Sequence, residues 1–506
     1  MASHYFGAIL LNVTSLQLAI VNLKTHQDVT RVTSNVALGE NIYSHEPIPY
    51  STVMEAADAL KGFLQQLKDY DVTHFKLWGS NALSTAVNAN LVADQLFVRT
   101  GMHVHWLSTG EEAYYRNIAV AEQTNGYLYF NKKPTVLLSL TSGNTNVSLF
   151  KHGQYEFSRN MKLGPLRIED VLHDLQATAP NPVEVLADYI NHVVEDFSRF
   201  MAFKDKKHRV VLIGAGPVNQ FFMAPQEELQ EISVKKFSQF AKMVRESSDQ
   251  YLMDYLKLDD QRVQMVLPET LLIARLLEFV EADSITLTRA NVLDGLLINA
   301  TLKRAKRRPY LKQVITAATN FSDRYRVDPA HRDIVTGFAL HLFDQLKPIH
   351  QLPERDRLLL HVAALDHDVG EFIDDDEHYV HSEYILSQVE LIGLSTEEIQ
   401  TIASVSRYHS SQTPTNHPEA FNLLPPKKRI EIAKLAAILR IADALDDDGL
   451  QKIKKISVSI QDPKLIITAE SDDEIALNRW VFNSKAKFFS EVYGLIPVLK
   501  QRRLHK

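Results

Sequence analysis

Apolar residues fall on every second position at the start of the chain: Ala8 and Leu10, then Leu16, Leu18 and Ile20. This period predicts two strands within residues 5–21, turning near Thr14, with a third at 29–36. The spacing then changes. Ala56, Ala57, Leu60, Leu64 and Leu67 share one face of a helix over 53–67. Residues 75–78 and 103–107 read as strands, with a helix at 86–100 between them. Thr109 and Glu112 have capping-box spacing, which predicts a helix start there. The opening pattern then returns, with strands at 135–140 and 147–150 around a turn at 141–145. Leu10–Ser15 and Leu137–Ser142 share four of six residues, which suggests two related α/β halves. Further strands are expected at 210–213 and 285–288.

Beyond about residue 303 the periodicity turns helical. Residues 303–308 (KRAKRR) read as a basic linker, and Asp328-Pro329 as a helix start. Helices follow at 355–365, 395–408 and 429–445, then a tail at 454–498 of strand, turn, strand, helix and strand. The expected domains are 1–125, 126–305, 315–450 and 451–506.

Composition narrows the chemistry. The chain has 506 residues and no Cys, so disulfides, thiol nucleophiles and thiolate metal sites are excluded. Any metal must use His, Asp, Glu or backbone oxygen, and 20 His are available. A net charge of −7 argues against general binding of DNA or an anionic membrane. No run of 18 apolar residues predicts a membrane span, and a cytoplasmic location is expected. Gly is scarce, 18 residues, although loops that cradle phosphate usually rely on it.

The order of pieces resembles the exopolyphosphatase / guanosine pentaphosphate phosphohydrolase (Ppx/GppA) family. The matching text is LFDQL (342–346), AALDHDVGEFI (363–373), HSEYIL (381–386), RYHS (407–410) and LAAILRIADALD (435–446). N-terminal matches are STGEEA (108–113), KLGPLRI (162–168) and IGAGP (213–217). The resemblance implies two actin-like (ASKHA, ribonuclease H-like) α/β halves, an all-α HD-type domain and a small α+β C-terminal segment. It also implies a homodimer.

Splitting a phosphoanhydride is chiefly positioning and charge stabilisation. The family pattern supplies two Gly-rich phosphate turns with metal-holding carboxylates, an Arg, and a Glu that activates water. This chain departs at Leu10 (or Asn12, with a shorter loop), Ser84, Ser139 and Asn146, and Tyr114 stands where an Arg would follow the Glu. Glu112 matches the catalytic carboxylate. Thr14, Ser15, Ser142, Gly143, Asn144, Thr145, Gly214 and Gly216 remain as phosphate-binding candidates.

The C-terminal letters are intact. His367-Asp368 ends an apolar helix, His331 lies 36 residues earlier at a helix start, and Asp443 lies on a later helix. By resemblance this is an HD-type metal-ligand set, with His381 and His409 as ligands to a second metal and Asp366, Asp446 or Glu371 as supporting partners. Imidazole and carboxylate suit Mn, Fe, Zn or Co. Lys303–Arg308 and Lys427, Lys428 and Arg429 are candidates for a polyphosphate path.

The resemblance implies release of terminal phosphate from inorganic polyphosphate or guanosine pentaphosphate, with Mg or Mn as divalent metal, or a transition metal at the HD site. Erosion of the phosphate turns leaves two alternatives open. One is a non-catalytic polyphosphate- or alarmone-binding regulator; the other is an HD-centred nucleotide phosphohydrolase.

Overall fold

Strands whose neighbours on both sides are helices must be apolar on both faces, and the central strands here meet that demand. In the computed structural model, which describes residues 4–39, 42, 46–124, 133–176, 179–199, 207–414 and 421–503, the chain forms two compact units, Met1–Gln313 and Val314–Lys506.

The first unit holds two sheets. One has the order β3-β2-β1-β4-β5, with β1 (Tyr5–Leu11), β2 (Ser15–Asn22), β3 (Asp28–Asn35), β4 (His74–Gly79) and β5 (Val104–Trp106). Ile9 and Leu11 face a core built with helices Tyr50–Asp69 and Ala89–Thr100. Ala8 and Leu10 face the opposite way, onto Leu293, Leu296 and Leu297 of helix Val292–Thr301.

The other sheet contains β6 (Thr135–Leu140), β7 (Thr145–Lys151), β8 (Gln154–Met161), β9 (His208–Ile213), β10 (Leu229–Ser233) and β11 (Ala282–Thr288), in the order β10-β11-β9-β6-β7-β8. Both sheets start with an antiparallel meander, followed by a parallel strand beside the first one. The second therefore repeats the 3-2-1-4-5 order of the first and adds an edge strand. The two opening hairpins match in detail. Asn12 N–H donates to Ser15 O (2.8 Å), and Thr141 N–H donates to Asn144 O (2.9 Å). This pairs residue 12 with 141, so the shared letters at 10–15 and 137–142 are out of structural register by two. Hydrogen-bonding geometry, not letter identity, sets the repeat, and Ser139 becomes the counterpart of Leu10.

Two further expectations change. The capping box before Glu112 is Ser108/Glu111: Ser108 Oγ accepts Glu111 N–H (3.0 Å), and Glu111 Oε2 accepts Ser108 N–H (3.0 Å). Ser108 is extended and can cap; Thr109 is already the first helical residue of Thr109–Gln123. Residues 304–308 are not a linker but the start of helix Arg304–Arg324, where Arg307 also donates to Asn299 O (2.7 Å).

The second unit is mostly helical. Helices Pro329–Gln345, Glu354–Asp366, His378–Ser387, Thr396–Arg407 and Pro426–Asp443 pack around Val335, Leu342, Leu360, Ala364, Leu435 and Leu439, all buried. A small sheet of β12 (Lys455–Gln461), β13 (Lys464–Glu470) and β14 (Ile496–Arg502) carries helix Ala476–Tyr493 between its last two strands. No helix among the described residues is long and apolar enough to cross a membrane.

Candidate functional sites

The first unit contains a cleft of ≈ 290 Å³, walled by the 12–15 turn, the 141–144 turn, Gly214, residues 80–82 and the start of helix Thr109–Gln123. Two glycines let its turns approach. At Gly214 (φ +79°) a Cβ would stand 2.2 Å from Leu140 O, and at Gly164 it would meet Thr141 O at 2.5 Å. Of the expected phosphate contacts, Thr14, Ser15, Ser142, Asn144 and Gly214 line the cleft. Gly143, Thr145 and Gly216 do not, and the buried Thr145 hydroxyl donates to Leu163 O (2.7 Å). Ser84 lies outside the wall too, its hydroxyl donating to Asn81 O (2.7 Å).

Glu112 lines the cleft, but both its oxygens are engaged. Oε1 accepts Asn81 N–H (2.7 Å), and Oε2 accepts from Arg116 (2.5 Å), one helical turn on. Arg116 was not singled out from sequence; the i, i+4 spacing to Glu112 was the available signal. These two are the ionisable side chains of the wall, and they neutralise each other.

In the second unit, helix ends bring His331, His367, Asp368, His409 and Asp443 together. His331, His367 and Asp443 each place a ligand atom within 4.8 Å of the others, as do His367, Asp368 and His409. Asp368, Glu371 and His378 form a third such group. His381 is not in any of them; His378, three residues earlier, stands there instead. His331 Nε2 lies 3.5 Å from Asp368 and 3.4 Å from Asp443, and His409 Nε2 lies 3.3 Å from Asp368. Lys485, from helix Ala476–Tyr493, bonds Asp443 and stands 3.6 Å from Asp447. Nothing in the sequence pattern pointed to Lys485, which lies 42 residues beyond Asp443.

Four imidazoles share one polarity. Nδ1–H of His367, His409 and His378 donates to the carbonyls of Ala364 (2.9 Å), Ser406 (2.5 Å) and Asp375 (3.1 Å). Nδ1–H of His331 donates to Asp446 (3.0 Å). All four Nε2 atoms therefore turn inward, with their tautomer set from outside, as in metal-ligating histidines. His367 Nε2 is fully buried and makes no hydrogen bond. The Nε2 atoms of His378 and His409 stand 3.1 Å apart. Two lone pairs so close need a cation, and imidazoles about 2.0–2.1 Å from one metal stand roughly 2.9–3.4 Å apart. The residues thus fit a divalent metal.

Charge within the cluster is paired, and a metal at His331 Nε2 would displace a proton. Burial opposes ionisation of Asp368, yet His367 and His409 hold it below the usual carboxylate range. Burial also opposes that of Asp443, which Lys485, His331 and His367 hold well below it. Burial lowers His409 to about 4. Burial would lower His331 as well, but Asp443, Asp446 and Asp368 push it up to about 11. Burial pushes Asp366, whose two oxygens are unbonded, well above the usual carboxylate range. The other basic cluster is engaged locally: Lys428 pairs with Glu431 (3.0 Å), and Arg429 donates to Asn422 (3.2 Å).

A model of the Ppx/GppA phosphatase family matches residues 18–304, and one of Ppx/GppA phosphatase domain III matches 315–485. The chain belongs to the Ppx/GppA phosphatase family. It is 22% identical over 483 residues to a guanosine-5'-triphosphate,3'-diphosphate pyrophosphatase of Photobacterium profundum, covering 92% of each chain. A Vibrio vulnificus protein of the same name is 22% identical over 431 residues, covering 82% of each. Among solved structures, the Aquifex aeolicus Ppx/GppA family member superposes with a TM-score of 0.50 at 14% identity, over 58% of this chain and 97% of that one. An exopolyphosphatase from Cytophaga hutchinsonii gives 0.50 at 15% identity, over 59% and 97%. The fold of this Ppx/GppA chain is the actin-like α/β pair, followed by a helical region and a small terminal β segment.

Proposed function

We propose that this chain is a phosphohydrolase of phosphoric anhydrides, taking inorganic polyphosphate or guanosine pentaphosphate, and that its hydrolytic centre is the His/Asp cluster of the second unit. The carrying observation is the inward convergence of four Nε2 atoms on Asp368 and Asp443. His331, His367, Asp368 and Asp443 would hold one divalent metal, and His378 and His409 would serve a second. Such a metal would supply a Lewis acid for a phosphoryl oxygen and a water acidic enough to attack at neutral pH. The protein's part is orientation. Asp446 fixes the His331 ring, the Ala364 and Ser406 carbonyls fix His367 and His409, and Lys485 balances Asp443. Glu371, exposed beside Asp368 and His378, is placed to take a proton from the attacking water.

The cleft of the first unit binds a phosphate chain through the 12–15 and 141–144 turns. The expected domain limits keep this division, with the cleft inside 1–305, the cluster inside 315–450, and Lys485 contributed by 451–506. A second reading places turnover in the cleft itself, with Glu112 orienting water; each of its oxygens retains a lone pair beyond the bonds to Asn81 and Arg116. Phosphate release by wild type, Asp368→Asn and Glu112→Gln separates the two. Loss in Asp368→Asn alone supports the cluster; loss in Glu112→Gln alone supports the cleft.

A further inference from the structure

We infer that the cleft takes the oxyanions of a phosphate chain directly, without an accompanying divalent cation, and that Asn146 imposes this mode. The inference rests on the reading above that the cleft binds a phosphate chain.

Asn146 lines the cleft from β7 and is nine-tenths buried. Its Oδ1 accepts from Ser148 Oγ (3.0 Å) and Ser158 Oγ (2.9 Å), and the two serine hydroxyls are themselves 2.9 Å apart. Behind them the buried Tyr155 phenol, which burial keeps protonated, is hydrogen-bonded to Ser158. The two serine hydroxyls occupy the acceptor end of Asn146 and leave its NH2 for the cleft.

Asn81 is turned the same way. Its Oδ1 accepts from Thr109 Oγ1 (3.2 Å), so its NH2 is the remaining polar group. Beside it Ser80 belongs to the cleft wall, and its Oγ is buried with no hydrogen-bond partner. A buried, unpartnered hydroxyl in a wall of amide donors is a group awaiting an acceptor. The carboxylate of Glu112 offers no net charge to a cation, because Arg116 neutralises it. The wall therefore presents N–H and O–H donors to a negative ligand and lacks the free carboxylates a hard cation needs.

The test is calorimetric binding of inorganic tripolyphosphate to the full chain, in EDTA and in Mg²⁺. Wild type is expected to bind in EDTA with an affinity unchanged by Mg²⁺. Asn146→Asp turns the donor into an acceptor with charge. It is expected to lose about 10- to 100-fold in EDTA and to regain affinity when Mg²⁺ is added, a rescue that an unfolded variant cannot show. Ser158→Ala, which loosens the amide, is expected to weaken EDTA binding by about threefold to tenfold. Wild-type binding that requires Mg²⁺ would overturn the inference and leave cleft binding intact. EDTA binding untouched by Asn146→Asp would also overturn it. No binding in either buffer would defeat the underlying reading as well.

Discussion

A buried carboxylate needs a cation, and Asp443 has Lys485 built in. Lys485 itself is buried, and removing its charge leaves Asp443 with only His331 and His367 beside it wherever no metal is bound. Lys485→Met is therefore expected to lower stability in chelator by about 3–5 kcal/mol, with the gap to wild type narrowing when Mn²⁺ is added. Thermal melts with and without Mn²⁺ check this; equal destabilisation in both buffers would contradict it. A second buried acid gives a pH prediction. Burial raises Glu269 to about 8, a hydrogen bond from Val218 N–H notwithstanding. Between its ordinary value near 4.5 and about 8, the folded state keeps a proton that the unfolded chain releases. Stability is thus highest below that window and falls as pH rises through it, by at most about 5 kcal/mol. Glu269→Gln should flatten the urea-midpoint profile between pH 5 and 8.5; parallel profiles would refute the assignment. The family resemblance named the five side chains that lie together in the second unit. It did not distinguish His378 from His381. Both lie near the start of one helix, and which ring faces inward depends on where that helix begins, here just after Glu377 in a left-handed turn.

Helix starts matter in the first unit too. One residue of register decides whether Glu112 closes a capping box or faces the cleft. With the box at Ser108/Glu111, Glu112 is released to reach Asn81 and Arg116. Ser108→Ala should cost about 1 kcal/mol, read as a lowered denaturation midpoint; an unchanged midpoint would argue against that cap. The alternating strands were legible because period 2 with one turn between them leaves few options, and the opening hairpin of each sheet follows the predicted positions, whereas β8 was not expected. The repeat was legible as a pattern but not in its alignment, since short apolar strings match equally well when slid by two, which preserves the inward face. The KRAKRR stretch looked like a linker because it has no apolar face; it is helical because its helix runs on through the packed residues Tyr310, Val314 and Ala318.

At the scale of the whole molecule, the proposed reading divides between two units the chemistry that the family pattern assigns to one cleft. The cleft keeps its hydroxyls and amides but has Leu10 in the packed layer against helix Val292–Thr301 and a single, already paired carboxylate. The His/Asp cluster has the carboxylates, the oriented imidazoles and a buried unbonded Nε2. Composition bounds part of this: with no Cys, any metal ligands are His, Asp, Glu or backbone oxygen, and glycines are few. It could not tell which unit carries out the chemistry, because that depends on distances between residues far apart in sequence. The most direct test is phosphate release from long-chain polyphosphate with Mn²⁺, comparing wild type, Asp368→Asn and Glu112→Gln. The account predicts that Asp368→Asn loses release by at least about 100-fold, while Glu112→Gln stays within about threefold of wild type. Release that survives Asp368→Asn and vanishes in Glu112→Gln would contradict it.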